Sequence, residues 1–89
     1  MWREIEWNEA SEEHIAPHKI TPDEVEQVVN TRPRWVQRGR EDTELIYGTT
    51  DAGKYVLVVL VESLTGLYFV VTAREMEPAE QRAFRRRAR

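Results

Sequence analysis

Four side chains in this sequence have the types and settings to move protons or hold charge: His14, His18, Tyr47 and Arg74. A histidine changes charge near neutral pH, a tyrosine hydroxyl can give up or take a proton, and an arginine stabilises developing negative charge. His14 and His18 stand four apart, a spacing at which two imidazoles on one continuous helix can share a metal. Pro17 lies between them and is expected to break that helix, and the chain has no third histidine and no cysteine. A metal is therefore not expected. The lack of cysteine also excludes disulfide frameworks and thiol nucleophiles. The sequence carries no G-x-S-x-G elbow, no glycine-rich phosphate loop and no H-E-x-x-H. What remains is acid–base chemistry without a cofactor. Cleavage of RNA suits such a set, because the 2′-hydroxyl of the substrate is the nucleophile and the protein need only transfer protons and neutralise charge. On this reading His18, Tyr47 and Arg74 are the catalytic candidates, and Arg38, Arg40 and Lys54 are the candidates for holding phosphates.

Charge is distributed unevenly around these residues. The net charge of −3 divides into −6 for residues 1–31, which hold eight acids and two bases, and +3 for residues 32–89, which hold eleven bases and eight acids. Eleven of the thirteen bases are arginine, and five of them fall in residues 82–89 with no acid among them. The planar guanidinium fork recognises phosphate and carboxylate better than a lysine point charge does. The same arginines also suit a helix C-terminus, where cations oppose the helix dipole. The acidic average therefore leaves room for a polyanionic partner and restricts where it would bind.

The elements that must position these residues follow from periodicity. Residues 2–7 alternate and suggest a short strand that turns Ile5 and Trp7 to one face. Asn8 is a helix cap for residues 9–16, where Trp7, Ala10, His14 and Ile15 repeat at helical spacing, which makes His14 a candidate core residue. Thr21, Pro22 and Glu24 form a capping-box start for a second helix whose buried stripe is Val25, Val28 and Val29. Extended segments follow at 35–38, 44–49, 54–62 and 67–74, with polar loops or turns at 39–43, 51–53 and 63–66. Residues 54–62 are apolar on both faces and belong at the centre of a sheet. Pro78 opens a last helix with acids at its start and arginines at its end.

With 89 residues, 40% of them apolar, the chain suits one domain spanning 1–89, with 85–89 as a frayed arginine-rich tail. The expected fold is α+β in the order β-α-α-β-β-β-β-α, a twisted antiparallel sheet with helices packed on it. The longest apolar run, 55–61, falls far short of the roughly 18 residues a membrane helix needs. The start Met1-Trp2-Arg3-Glu4 has no apolar secretory region, and a cytoplasmic location is expected.

Several strings, in order, resemble one group of proteins. Trp7-Asn8-Glu9 followed by His14-Ile15-Ala16-Pro17-His18-Lys19-Ile20-Thr21-Pro22 resembles the opening of BrnT-like proteins and their uncharacterised relatives. Tyr47-Gly48-Thr49-Thr50 and Gly53-Lys54-Tyr55-Val56-Leu57-Val58-Val59 are similar to the central hairpin of that group. Val71-Thr72-Ala73-Arg74-Glu75-Met76-Glu77-Pro78-Ala79-Glu80 is similar to its ending. The resemblance covers about residues 5–87, nearly the whole chain. It implies a RelE-like fold and a ribonuclease toxin of a type II toxin–antitoxin pair, held inactive by a cognate antitoxin. By motif position, His18 and Arg74 match the group's histidine and Ala-Arg arginine, and Trp7 its aromatic start. Three positions depart from the pattern: Pro17 replaces a basic residue, Lys19 replaces a glycine and Ser11 replaces a lysine.

Two functions are weighed on these grounds. The first is a cofactor-free endoribonuclease toxin with RNA as substrate and an antitoxin as partner. The second is a non-catalytic interaction module on the same fold, with Trp2, Trp35 and Tyr68 as anchors, although core or sheet packing is expected for at least two of the three. Self-association is compatible with either. Direct sequence-specific DNA binding is not expected, because no helix-turn-helix recognition helix is apparent.

Overall fold

Helix α1, Glu9–Ile15, begins where the Asn8 side chain accepts a hydrogen bond from the Ser11 backbone N–H at 2.8 Å. It ends at Ile15, one residue short of the expected residue 16, and passes into a 3-10 turn over Ala16–His18 that contains Pro17. The buried residues of α1 are Ser11 and Ile15. His14 and Ala10 are exposed instead, which corrects the expected core histidine. The turn closes on Lys19 in left-handed backbone, with φ 61° and ψ 33°. Helix α2, Pro22–Asn30, starts on the complete capping box of Thr21 and Glu24 and buries Val25, Val28 and Val29. The computed structural model describes residues 2–89.

Four antiparallel strands then run as a meander: β1 (Arg34–Arg38), β2 (Thr43–Thr49), β3 (Tyr55–Glu62) and β4 (Tyr68–Glu75), in the order β1-β2-β3-β4. A short 3-10 turn over Arg40–Asp42 joins the first two strands. A bulge falls where Val59 pairs Thr72 while Leu60 pairs Val70, which leaves Val71 as the extra residue. Helix α3, Pro78–Arg87, closes the chain on a Glu77–Glu80 capping box. The segment 85–89, read from the sequence as a frayed tail, continues this helix to Arg87, and Arg89 exchanges both backbone hydrogen bonds with Arg34.

The residues expected to form a first strand contribute one rung. Ile5 bridges Tyr68 in parallel, with the Glu6 N–H donating to Tyr68 O and the Tyr68 N–H donating to Glu4 O. The alternation persists, with Arg3 and Ile5 buried and Trp2, Glu4 and Glu6 exposed. The ladder stops because Asn8 turns the chain into α1 just after its only rung. The result is a single small α+β domain with a twisted four-stranded antiparallel sheet and packed helices.

Two cores lie on opposite faces of that sheet. The α1 and α2 layer covers Ile46, Val56, Val58, Leu60, Val70 and Ala73. Gly48 admits the close approach of α2, since a β-carbon there would meet Val28 Cγ1 at 3.2 Å and the Val28 carbonyl oxygen at 3.3 Å. Helix α3 closes the other face, where Phe84 and Met76 pack with Tyr47 and Leu57. Among the described residues no helix is long and apolar enough to cross a membrane.

Candidate functional site

One rung of the sheet brings two of the three catalytic candidates together. Trp35 pairs Tyr47, Tyr47 pairs Leu57, and Leu57 pairs Arg74, so the four share one row on the α3 face. Tyr47 and Arg74 are two strands apart, about 10 Å between their backbones, and their side chains rise on either side of Leu57. Trp35 stacks on Tyr47 with ring centroids 4.5 Å apart, fixing the phenol from its outer side.

Helix α3 supplies the third member of the group, Glu80. Both Arg74 terminal nitrogens donate to its carboxylate, Nη1 to Oε1 and Nη2 to Oε2, each at 2.8 Å. Arg74 Nη1 also donates to the Glu75 carbonyl at 3.1 Å. Glu80 can be reached because the capping box holds it: its Oε1 also accepts the Glu77 N–H at 2.8 Å. The sequence reading assigned Glu80 only to the helix start, since nothing in its spacing shows that the first turn of α3 folds back over the end of β4.

The electrostatics of the three are coupled. The Arg74 fork holds the Glu80 carboxyl below the ordinary carboxylate range, helped by the Glu77 N–H. The same pairing raises the proton affinity of Arg74. Burial pushes the Tyr47 phenol above its usual value, and the Glu80 charge pushes it further, while Arg74 partly opposes them. At neutral pH the group is thus a protonated phenol, a carboxylate and a guanidinium. Three of the five guanidinium N–H donors of Arg74 are accounted for by these bonds, leaving others for an incoming anion.

The other candidates lie elsewhere. His18 ends the 3-10 turn in the helical layer on the opposite face and is exposed. Lys54 reaches the same end of the molecule, where its ammonium lies 3.1 Å from Glu24 and 3.5 Å from the Lys19 carbonyl. Arg38 projects at the far end of β1, on the face that α1 and α2 cover, three residues or about 10 Å along the sheet from the Tyr47 rung. Its contact with Asp42, 3.8 Å between two highly exposed side chains, holds it only weakly. Arg40 follows in the 3-10 turn, exposed. Among the described residues no three His, Cys, Asp or Glu side chains lie together in a way that could hold a metal ion.

Of the interaction anchors weighed from the sequence, Tyr68 is buried and Trp35 is half-buried against Tyr47, while Trp2 is 71% exposed. Compared with protein-family models, curated proteins and solved structures, the chain gives no significant match.

Proposed function

We propose that the chain is a cofactor-free endoribonuclease of the toxin type its resemblance to BrnT-like proteins implies, acting from Tyr47, Arg74 and Glu80. The observation that carries this reading is the bidentate Arg74–Glu80 pair beside a phenol that keeps its proton. In the proposed reaction the Glu80 carboxylate takes the proton of the substrate 2′-hydroxyl, and that oxygen forms a bond to the adjacent phosphorus. The bond from phosphorus to the 5′ oxygen breaks, and Tyr47 gives its proton to the leaving oxygen. Arg74 neutralises the charge that builds on the non-bridging oxygens. The products are a 2′,3′-cyclic phosphate and a 5′-hydroxyl.

A local detail also supports the resemblance. The position where the group carries glycine is Lys19, and its backbone is left-handed, the region glycine enters at least cost. The proposed partners are single-stranded RNA and an antitoxin that silences the activity.

Incubation of the purified protein with single-stranded RNA in the presence of a chelator tests the assignment. Cleavage leaving cyclic phosphate ends is expected, and Tyr47→Phe, Arg74→Ala and Glu80→Gln should each lower the rate by about a hundredfold or more. His18→Ala should cleave like the parent chain. Intact RNA with folded wild-type protein overturns the function, and a large loss in His18→Ala overturns the residue assignment.

A further inference from the structure

The outermost ring of the Tyr47 row has one face turned away from the sheet. Trp35 stands on β1, the edge strand, and pairs Tyr47 on β2. The two rings stack at 4.5 Å with 27° between their planes, so Tyr47 takes the inner face of the indole. The outer face points past the sheet edge. There the hydrogen bonds between Arg34 and Arg89 bring the end of α3 beside β1. Arg87, in the last turn of that helix, lies over the indole with its guanidinium carbon 5.6 Å from the ring centroid. Because Tyr47 fills the inner face, Arg87 covers the outer one.

Arg87 is held there loosely. Its side chain is exposed, and among the described residues it has no carboxylate within ion-pair distance. Stacked bases along a strand are spaced roughly 3.4 Å apart. A base entering between indole and guanidinium therefore needs Arg87 to back off by only about 1–2 Å from its present 5.6 Å.

We propose that Trp35 and Arg87 form a base-stacking subsite of the Tyr47 site. The base of the nucleotide on the 3′ side of the cut inserts between the indole and the guanidinium. This subsite rests on the ribonuclease reading and adds to it a direction for the strand.

The direction follows from the order of the row. Arg74 and its partner Glu80 stand on one side of Tyr47, and Trp35 stands on the other. Glu80 takes the proton of the 2′-hydroxyl, which belongs to the nucleotide before the cut. Tyr47 protonates the 5′ oxygen, which belongs to the nucleotide after it. A strand crossing from Glu80 to Tyr47 therefore runs 5′ to 3′, and its next base reaches Trp35. The chemistry of this subsite suits an unpaired nucleobase, since every base offers a π-face to an indole and to a guanidinium plane, and a single strand can splay one out. Stacking tolerates any base, so the subsite selects single-strandedness and direction rather than sequence.

The test has a binding arm and a cleavage arm, both on the full chain. In the first, a single-stranded 2′-O-methyl RNA oligonucleotide, which lacks the free 2′-hydroxyl, is titrated while the Trp35 indole N–H is followed by NMR, its signal assigned through Trp35→Phe. The Trp35 signal should move on binding, and Trp35→Ala should weaken binding about tenfold while Trp35→Phe keeps most of it. In the second, the cut is mapped in natural RNA and an abasic nucleotide is placed on either side of it. Loss of the 3′ base should lower kcat/KM about tenfold in the parent chain and cause no further loss in Trp35→Ala, a cancellation that mere displacement of Tyr47 cannot produce. Loss of the 5′ base should act equally on both proteins. The stacking subsite is overturned if the oligonucleotide does not bind or leaves the Trp35 signal unmoved. The direction is overturned if Trp35→Ala cancels the loss on the 5′ side instead. Intact natural RNA with a moved Trp35 signal would overturn the ribonuclease reading and the direction, and leave the stacking subsite standing.

Discussion

Arg74 shows why a residue's role depends on what folds back to meet it. Its place at the exit of a strand was readable in the sequence; its partner was not, because Glu75 is adjacent in sequence and Glu80 is adjacent in space. The pairing makes acid stability a direct readout. Glu80 has a lower pKa in the folded chain than the ordinary 4.5, through Arg74 first and the Glu77 N–H next. A carboxylate of that kind contributes stability that is complete above its unfolded value and is lost as pH falls through the folded one. Glu24 behaves the same way, held down by the Thr21 backbone and by Lys54. The melting temperature of the wild-type chain should therefore fall as pH drops below about 5, and Glu80→Gln should start lower at pH 7 and fall less steeply. Parallel melting curves for the two proteins across this range would refute the coupling. Lys19 gives a second prediction at this scale. Its exposed side chain donates no hydrogen bond among the described residues and its backbone is left-handed, so Lys19→Gly should stabilise the chain by about 0.5–1 kcal/mol, seen as a rise of a few degrees in Tm. An unchanged or lower Tm would show that the turn does not hold that backbone under strain.

At the scale of elements, what could be read in advance was whatever local chemistry determines. The Thr21–Glu24 capping box, the Asn8 cap and the two-faced apolar run of β3 all carry their partners within a few residues, and each appears where the sequence indicates. The N-terminal segment did not become a full strand, because its length as a strand depends on where β4 begins and α1 starts, both set by tertiary contacts. The exposed His14 has a similar origin. Helical spacing gave a stripe through Trp7, Ala10, His14 and Ile15, whereas packing on β4 buries Ser11 and Ile15. The site divided for the same reason: Tyr47 and Arg74 share a rung only because the register of three strands aligns them, and no local signal encodes that register. The α2–sheet contact is the element-level constraint most open to test. A methyl group on residue 48 would press on both the side chain and the backbone of Val28. Gly48→Ala should therefore lower stability by about 1–3 kcal/mol in denaturant titration, by pushing α2 off the sheet. A loss well under that range would mean α2 moves outward freely, and that Gly48 does not fix the spacing of the two layers.

Over the whole molecule, charge divides by element. The acidic residues of positions 1–31 concentrate in the α1 and α2 layer, while the arginines gather on β1, its following turn and α3. Of the eleven arginines only Arg3, Arg38 and Arg74 lie within ion-pair distance of a carboxylate among the described residues. Some of the rest are held by aromatic faces: Arg85 lies over Tyr55 and Arg87 over Trp35, at 5.7 and 5.6 Å. The rings that hold these two arginines, Tyr55 and Trp35, pack against the same cluster as Tyr47, so a net charge of −3 coexists with a local surface able to attract a polyanion. The proposed function requires RNA to meet this α3 side rather than the acidic layer, and salt dependence measures that. Each phosphate neutralised on a single strand adds about 0.7 to the slope of log affinity against log salt. Replacing Arg82, Arg85 and Arg86 together by alanine should reduce the slope measured with single-stranded RNA by about 2, and alanine keeps the helix favourable. Replacing Glu9, Glu12 and Glu13 by glutamine should raise affinity uniformly through the overall field while leaving the slope unchanged, because the slope counts contacts and not net charge. A slope insensitive to the arginines but altered by the glutamates would put the RNA on the helical layer, where His18 and Lys54 stand, and would move the catalytic search to that face.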